Sequence, residues 1–262
     1  MRVLTLAAVV LFMVTAGGCA ARAHLTGGVE ALAAHPPGEA GLLFREIRHE
    51  GVVRRYALYV PRQYLEAEAA ERAWPLVVFL NGRGECGTDG SRQTGVGLGP
   101  AVLLNPERWA CVILFPQKPD QASAWVDHEK MVLAMMERVR SDLRIDARRI
   151  TLTGLSQGGA GTWAIGARNP ELFAALAPVC GYGDAGALAQ PLRNVPIWAF
   201  HGERDDIVRP EQTRKIVAAI EAGGGHPRAT YFPEANHNSW DPAYRDPELA
   251  RWLLEQQRTG GR

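Results

Sequence analysis

The chain has 262 residues, 47% of them hydrophobic and 22% charged, with neither repeats nor low-complexity tracts, which is enough for one domain with a sizeable core. Lys and Arg total 29 against 28 Asp and Glu, a net charge of +1. No basic run stands out, so electrostatic capture of nucleic acid is excluded and a small or uncharged partner is favoured.

In chain order, Arg2 precedes the apolar stretch Val3 to Val14, and the small residues "TAGGCAA" come next. This is the pattern of an export signal, and it is too short to span a membrane as a helix. "AGGC" with Cys19 resembles the lipobox of bacterial lipoproteins, in which the Cys becomes the lipid-modified first residue. Ala16 stands where that box usually has Leu, so an ordinary signal peptide cleaved nearby is the alternative. The expected organisation is a signal over residues 1–18, an Ala, Gly and Pro-rich tether over 19–41, and a folded domain over 42–262. The protein is then expected in the cell envelope or periplasm, held to a membrane by a lipid on Cys19. In such an oxidising compartment Cys86, Cys111 and Cys180 are an odd set, so at least one stays unpaired. Cys111 begins an apolar run and reads as a buried small hydrophobe, while a Cys86–Cys180 bridge stays open. No Cys/His spacing suggests a zinc site.

From Leu42 onward strand and helix patterns alternate. "LFREIRH", "VVRRYALYVP" and "PLVVFLN" read as strands, the last a continuous apolar run expected of a strand buried on both faces. "CVILFP" is another. Val132, Met135, Met136, Val139 and Leu143 then share one helical face. "RITLTG" is a strand, a small-residue helix runs from about Gln157 to Arg168, and "FAALAPVC" and "VPIWAFH" are strands. A helix over Pro210 to Ala222 stops at Gly223, "ATYFP" is a strand, and a helix from about Pro247 to Gln257 closes the chain. The alternation implies an α/β fold with a mostly parallel sheet of about eight strands, helices on both faces, an antiparallel first hairpin and no large cap domain. In such folds the ligand sits beyond the carboxyl ends of the strands.

Ser156 lies at that place, two residues past the predicted strand core and just before a helix, in Gly154-Leu155-Ser156-Gln157-Gly158. Alone G-x-S-x-G is weak. Its context is what counts, because a sharp strand-to-helix turn needs small residues two before and two after the Ser, and the helix N-terminus aims free amides at the Ser oxygen. A serine hydroxyl still needs a base, an acid to orient the base, and oxyanion donors. In the order Ser, acid, His, three histidines come after Ser156. His201 ends a strand and reads as structural, His226 lies in a Gly-rich turn and reads as exposed loop, and His237 comes after the last strand, where the base belongs. "HGERDDIV" supplies the acid, Asp205 first, Asp206 as the alternative. The oxyanion donors are expected from the backbone of Gln157 and of the loop "LNGRGECGTDG", at Arg83 or else Gly84. That loop lacks the Gly-Lys-Ser/Thr ending of a phosphate-binding loop.

Taken together, "YALYVP", "WPLVVFLNGRGECGTDG", "RITLTGLSQGGAGTWAIGARNPELFAALAPVCGYGD", "VPIWAFHGERDDIV" and "EANHNSWDPAYRDPELARWLL" resemble the single-domain α/β-hydrolases labelled carboxylesterases, phospholipase/carboxylesterase relatives or predicted peptidases. These are close to polyhydroxybutyrate-depolymerase-like and feruloyl-esterase-like proteins. The resemblance covers about residues 43 to 257. It implies a Ser156, Asp205, His237 triad, oxyanion amides at Arg83 and Gln157, and an acyl-enzyme route of ester hydrolysis with no cofactor or metal. Three departures stand out: Asn81 where the family usually has His, Gln157 where it has Met, and Cys86 where it has Arg. Trp125 and Trp240 are candidates to line the pocket for a small-molecule or carbohydrate-linked ester; core packing is the alternative for each. The rival functions are a serine peptidase with the same triad and a non-catalytic envelope lipoprotein that kept the fold. A polymer depolymerase would be expected to carry binding modules that are not visible here.

Overall fold

A computed structural model describes residues 38–259. The expected signal segment, Cys19 and most of the expected tether lie outside these residues. The first strand, β1 (Gly41–His49), begins one residue before the expected domain start and forms a hairpin with β2 (Val52–Val60). Then come β3 (Trp74–Leu80), β4 (Val112–Pro116), β5 (Ile145–Leu155), β6 (Ala175–Val179), β7 (Trp198–Gly202) and β8 (Arg228–Phe232). They form one eight-stranded sheet in the order β1-β2-β4-β3-β5-β6-β7-β8, so β1 and β8 are its edges. The β1–β2 and β2–β4 pairs are antiparallel and all others are parallel. This is the α/β-hydrolase arrangement.

Helices cover both faces and enclose two cores. All seven residues of β3 are buried, and they alternate between the two: Leu76, Val78 and Leu80 face one core, Val77 and Phe79 the other. The first core is closed by α2 (Glu129–Asp142), α3 (Gln157–Arg168), α4 (Ala185–Leu192) and α5 (Glu211–Ala222). On α2 the buried residues Val132, Met135, Met136 and Val139 form the stripe read from the sequence; Leu143 caps the helix and is half-buried. The second core is closed by α1 (Leu98–Leu104), α6 (Trp240–Arg245) and α7 (Pro247–Glu255). The helices α1, α4 and α6 are not anticipated by the sequence pattern. No helix among the described residues is long and apolar enough to cross a membrane.

Candidate active site

The parallel strands β3, β5, β6, β7 and β8 all end on one side of the sheet, and the site is assembled from the turns and loops that leave those ends. Ser156 is the single residue between β5 and α3. Its φ of 55° and ψ of −115° lie where non-glycine residues are rarely found, and such strain persists only when the surroundings over-determine it. The surroundings here are backbone on both sides. A Cβ at Gly154 would lie 2.5 Å from the Gly158 carbonyl oxygen, and one at Gly158 would lie 1.9 Å from that of Leu80. The Ser156 N–H donates to Val179 O at 3.0 Å and its carbonyl accepts from the Ala160 N–H at 2.9 Å, which pins the turn to β6 and to α3.

His237 comes in on the loop after β8. That loop packs backbone to backbone against the end of β7: a Cβ at Gly202 would lie 2.3 Å from the carbonyl oxygens of both Ala235 and Asn236. Gly202 therefore serves close approach as well as turning. His237 Nε2 lies 3.0 Å from Ser156 Oγ, and Nδ1 lies 2.7 Å from Asp205 Oδ2. With the proton on Nδ1, donated to the carboxylate, Nε2 is left as an acceptor for the Ser156 hydroxyl. Asp205 is buried and held from four directions. Its Oδ1 accepts from the N–H groups of Ile207 and Val208 at 3.0 and 2.9 Å, and its Oδ2 faces both His237 and, at 3.1 Å, His201 Nε2. Asp206, the alternative acid, is exposed.

A family model described as "Dienelactone hydrolase family" matches residues 115–246, a span that contains Ser156, Asp205 and His237. The chain belongs to the dienelactone hydrolase family. One curated relative, the bifunctional acetylxylan esterase/xylanase XynS20E of Neocallimastix patriciarum, is 29% identical over 105 residues, covering 38% of this chain and 16% of that protein. Among solved structures, a thermostable esterase is 35% identical with a TM-score of 0.74, over 83% of this chain and 63% of that one. A ferulic acid esterase shares the fold, with a TM-score of 0.66 at 14% identity over 80% of this chain and 97% of that one. The chain thus spans under two thirds of the length of the first two proteins.

In this dienelactone hydrolase family member the cleft over Ser156 has a volume of about 420 Å³ and is walled by Arg83, Gly84, Gln157, His237 and Trp240. Arg83 opens the 3-10 turn Arg83–Glu85 and Gln157 opens α3, so the first N–H of each has no acceptor within its own helix. The loop that carries Arg83 is braced by Asn81, which is wholly buried. Asn81 Nδ2 donates to Gly82 O at 2.6 Å and lies 3.7 Å from Cys86 Sγ. Its Oδ1 accepts from the Lys118 N–H at 3.3 Å and its carbonyl accepts from Trp125 Nε1–H at 2.9 Å. The replacement of His by Asn thus leaves a braced loop. The Gln157 side chain donates to Gln121 O at 3.1 Å, and its Oε1 has no partner among the described residues.

The two tryptophans singled out from the sequence lie against different cavities. Trp240 stands edge-on to His237, with ring centroids 5.4 Å apart and planes at 86°, in the wall of the Ser156 cleft. Trp125 is almost completely buried and its ring borders a neighbouring cavity. Tyr182, Ile207 and Val208 also line the cleft, and the sequence pattern does not single them out. A signal exists for Tyr182, which lies just past the carboxyl end of β6.

The remaining candidates separate cleanly. His226 is exposed. His201 is buried, with Nε2 donating to Val208 O at 2.7 Å and Nδ1 accepting from the Thr213 hydroxyl at 2.7 Å. Burial lowers its pKa below the usual histidine value despite Asp205 beside it. All three cysteines among the described residues are free and buried, so the Cys86–Cys180 bridge left open by the sequence does not form. The reason is topological: Cys86 lies past β3 and Cys180 past β6, two strand spacings apart, or about 10 Å, beyond the roughly 7 Å that a disulfide spans between Cα atoms. Cys180 lies beneath the site, and its sulfur, an Asp205 oxygen and a His237 nitrogen fall within 4.8 Å of one another. A metal there would have to break the His237–Asp205 bond and deprotonate a thiol whose pKa burial pushes up to about 12, so this donor set fits a metal poorly.

Proposed function

We propose that this protein is a serine carboxylic-ester hydrolase that works through Ser156, His237, Asp205 and an acyl-enzyme intermediate. The observation that carries the reading is the unbroken chain from Ser156 Oγ through His237 to Asp205, at 3.0 and 2.7 Å, set on a strained strand-to-helix turn. Ser156 Oγ attacks the ester carbonyl carbon while its proton passes to His237 Nε2. The imidazolium so formed is stabilised by Asp205. The carbonyl oxygen takes up the negative charge and is met by the N–H groups of Arg83 and Gln157 at the positive end of α3. Collapse breaks the bond to the alcohol oxygen, which takes the proton from Nε2. Water then attacks the acyl-enzyme with His237 again as base and frees the acid. The substrate is a small-molecule or carbohydrate-linked ester; the acetylxylan esterase relative supports the second.

The test is covalent labelling by a fluorophosphonate and then peptide mass spectrometry, with Ser156→Ala alongside. An adduct on Ser156 alone is the expected result. A folded protein that takes no label would sink the proposal and leave the non-catalytic reading in its place.

The N-terminal pattern supports export to the cell envelope with a lipid on Cys19. Cys19→Ser should then shift the protein out of the membrane fraction, and an unmodified mutant that still sediments with membranes would overturn the anchor.

A further inference from the structure

Next to the Ser156 cleft lies a second cavity of about 310 Å³. Its floor is one stripe of α3, with Gln157, Ala160, Gly161 and Ala164 at the helical spacing of three and four residues. Trp125 stands on one side and α4, through Ala187 and Leu188, on the other. The helix is kept narrow of necessity, since a Cβ at Gly161 would lie 2.5 Å from Trp125 Cβ.

Gln157, Trp163, Tyr182 and Asp184 are polar side chains on this space, and Gln157 Oε1 and Trp163 Nε1 have no partner among the described residues. Asp184 at the rim caps α4, accepting from the N–H groups of Gly186 and Ala187 at 2.9 and 3.2 Å. The Gln157 amide nitrogen is bonded to Gln121. The rest of the lining, with Ala124, Val126, Ala160, Ala164 and Leu188, is apolar, so the cavity suits an apolar group. A cavity of about 150 Å³ holds a benzene ring; this one is twice that size.

The cavity and the cleft share Gln157 and Tyr182 as lining residues, so the two adjoin at these side chains. His237 lines the cleft and not the second cavity. Because His237 Nε2 must reach the departing alcohol oxygen, the alcohol half of an ester stays on the His237 side, against Ile207 and Trp240. The acyl half points the other way, along α3. Resting on the ester-hydrolase reading, we propose that this cavity is the acyl subsite and that it takes apolar acyl groups well beyond acetyl, either a medium-length alkyl chain or one ending in an aryl ring.

The experiment compares kcat/KM for p-nitrophenyl octanoate and p-nitrophenyl acetate, which share a leaving group. The octanoate should exceed the acetate by at least about tenfold in the unaltered protein. Ala164→Phe, which fills the floor, should cut the octanoate-to-acetate ratio at least about tenfold. Ala187→Trp, on the exposed opposite wall, should cut it in the same direction, and it serves if the first variant does not fold. Acetate hydrolysis with no preference for octanoate, or a ratio unmoved in both folded variants, would overturn the acyl subsite while leaving the ester hydrolase intact. Hydrolysis of neither ester, with no fluorophosphonate label, would bring down both.

Discussion

Asp205 illustrates how much one residue can be asked to hold. Its carboxylate meets two backbone N–H groups and two imidazoles, and no water is needed to satisfy it. Asp205→Asn would keep the shape but put an amide against two imidazole N–H donors, reversing or losing the bond that fixes His237. Ester hydrolysis should fall by about 10⁴-fold in kcat, the scale seen when a triad acid is neutralised. Asp206→Asn, on an exposed side chain, should stay near the unaltered rate; steady-state kinetics on one ester compares the two, and equal losses would refute the assignment. His201 could be recognised as structural from its place at a strand end. That it leans on the same carboxylate oxygen as His237 could not, because the contact depends on how the chain turns after Gly202.

At the scale of elements, the long apolar runs and the longer helices were readable, and the short or interrupted ones were not. The strands β3 and β4 are buried throughout and therefore continuous in the sequence; α3 ends at the expected Arg168 and α5 stops before Gly223. The helices α1, α4 and α6 are only 7, 8 and 6 residues long, and each contains a proline, Pro100, Pro191 or Pro242, a residue that reads as a break. They form because tertiary packing overrides propensity: Leu98, Leu188 and Tyr244 are buried against the sheet. The turn between β5 and α3 is the element on which the site depends most. Gly158→Ala would drive a methyl group into the Leu80 carbonyl and should destabilise the protein by about 3 kcal/mol or abolish soluble expression. Thermal unfolding checks this, and a melting temperature within a degree or two of the unaltered protein would show the turn to be more yielding than its contacts imply.

The whole molecule is close to neutral, with a net charge of +1, and its stability is tied to pH through burial. His201 and His128 both have pKa values lowered chiefly by desolvation; at His128 the nearby Lys118 and Arg54 add to the lowering, while Asp120 and Asp127 oppose it. Unfolded histidines bind protons near pH 6.5, so between the lowered folded values and that point the unfolded chain holds more protons. Stability from these groups is full above about pH 6.5 and is lost as pH falls. The melting temperature should drop on acidification through that range, and His128→Asn should flatten the slope; an equal slope in the variant would remove His128 from the account. The sheet itself has one further property. It is open, and β1 forms one edge with nine residues, about 30 Å of backbone at 3.4 Å per residue with one side unpaired among the described residues. Such an edge is a template for another chain's strand. Arg45, Glu46 and Arg48 place charge along it, and Glu39 folds back onto Arg45 at 2.8 Å. The edge that is furthest from the chemistry is thus the place where this protein guards against sticking to its own copies.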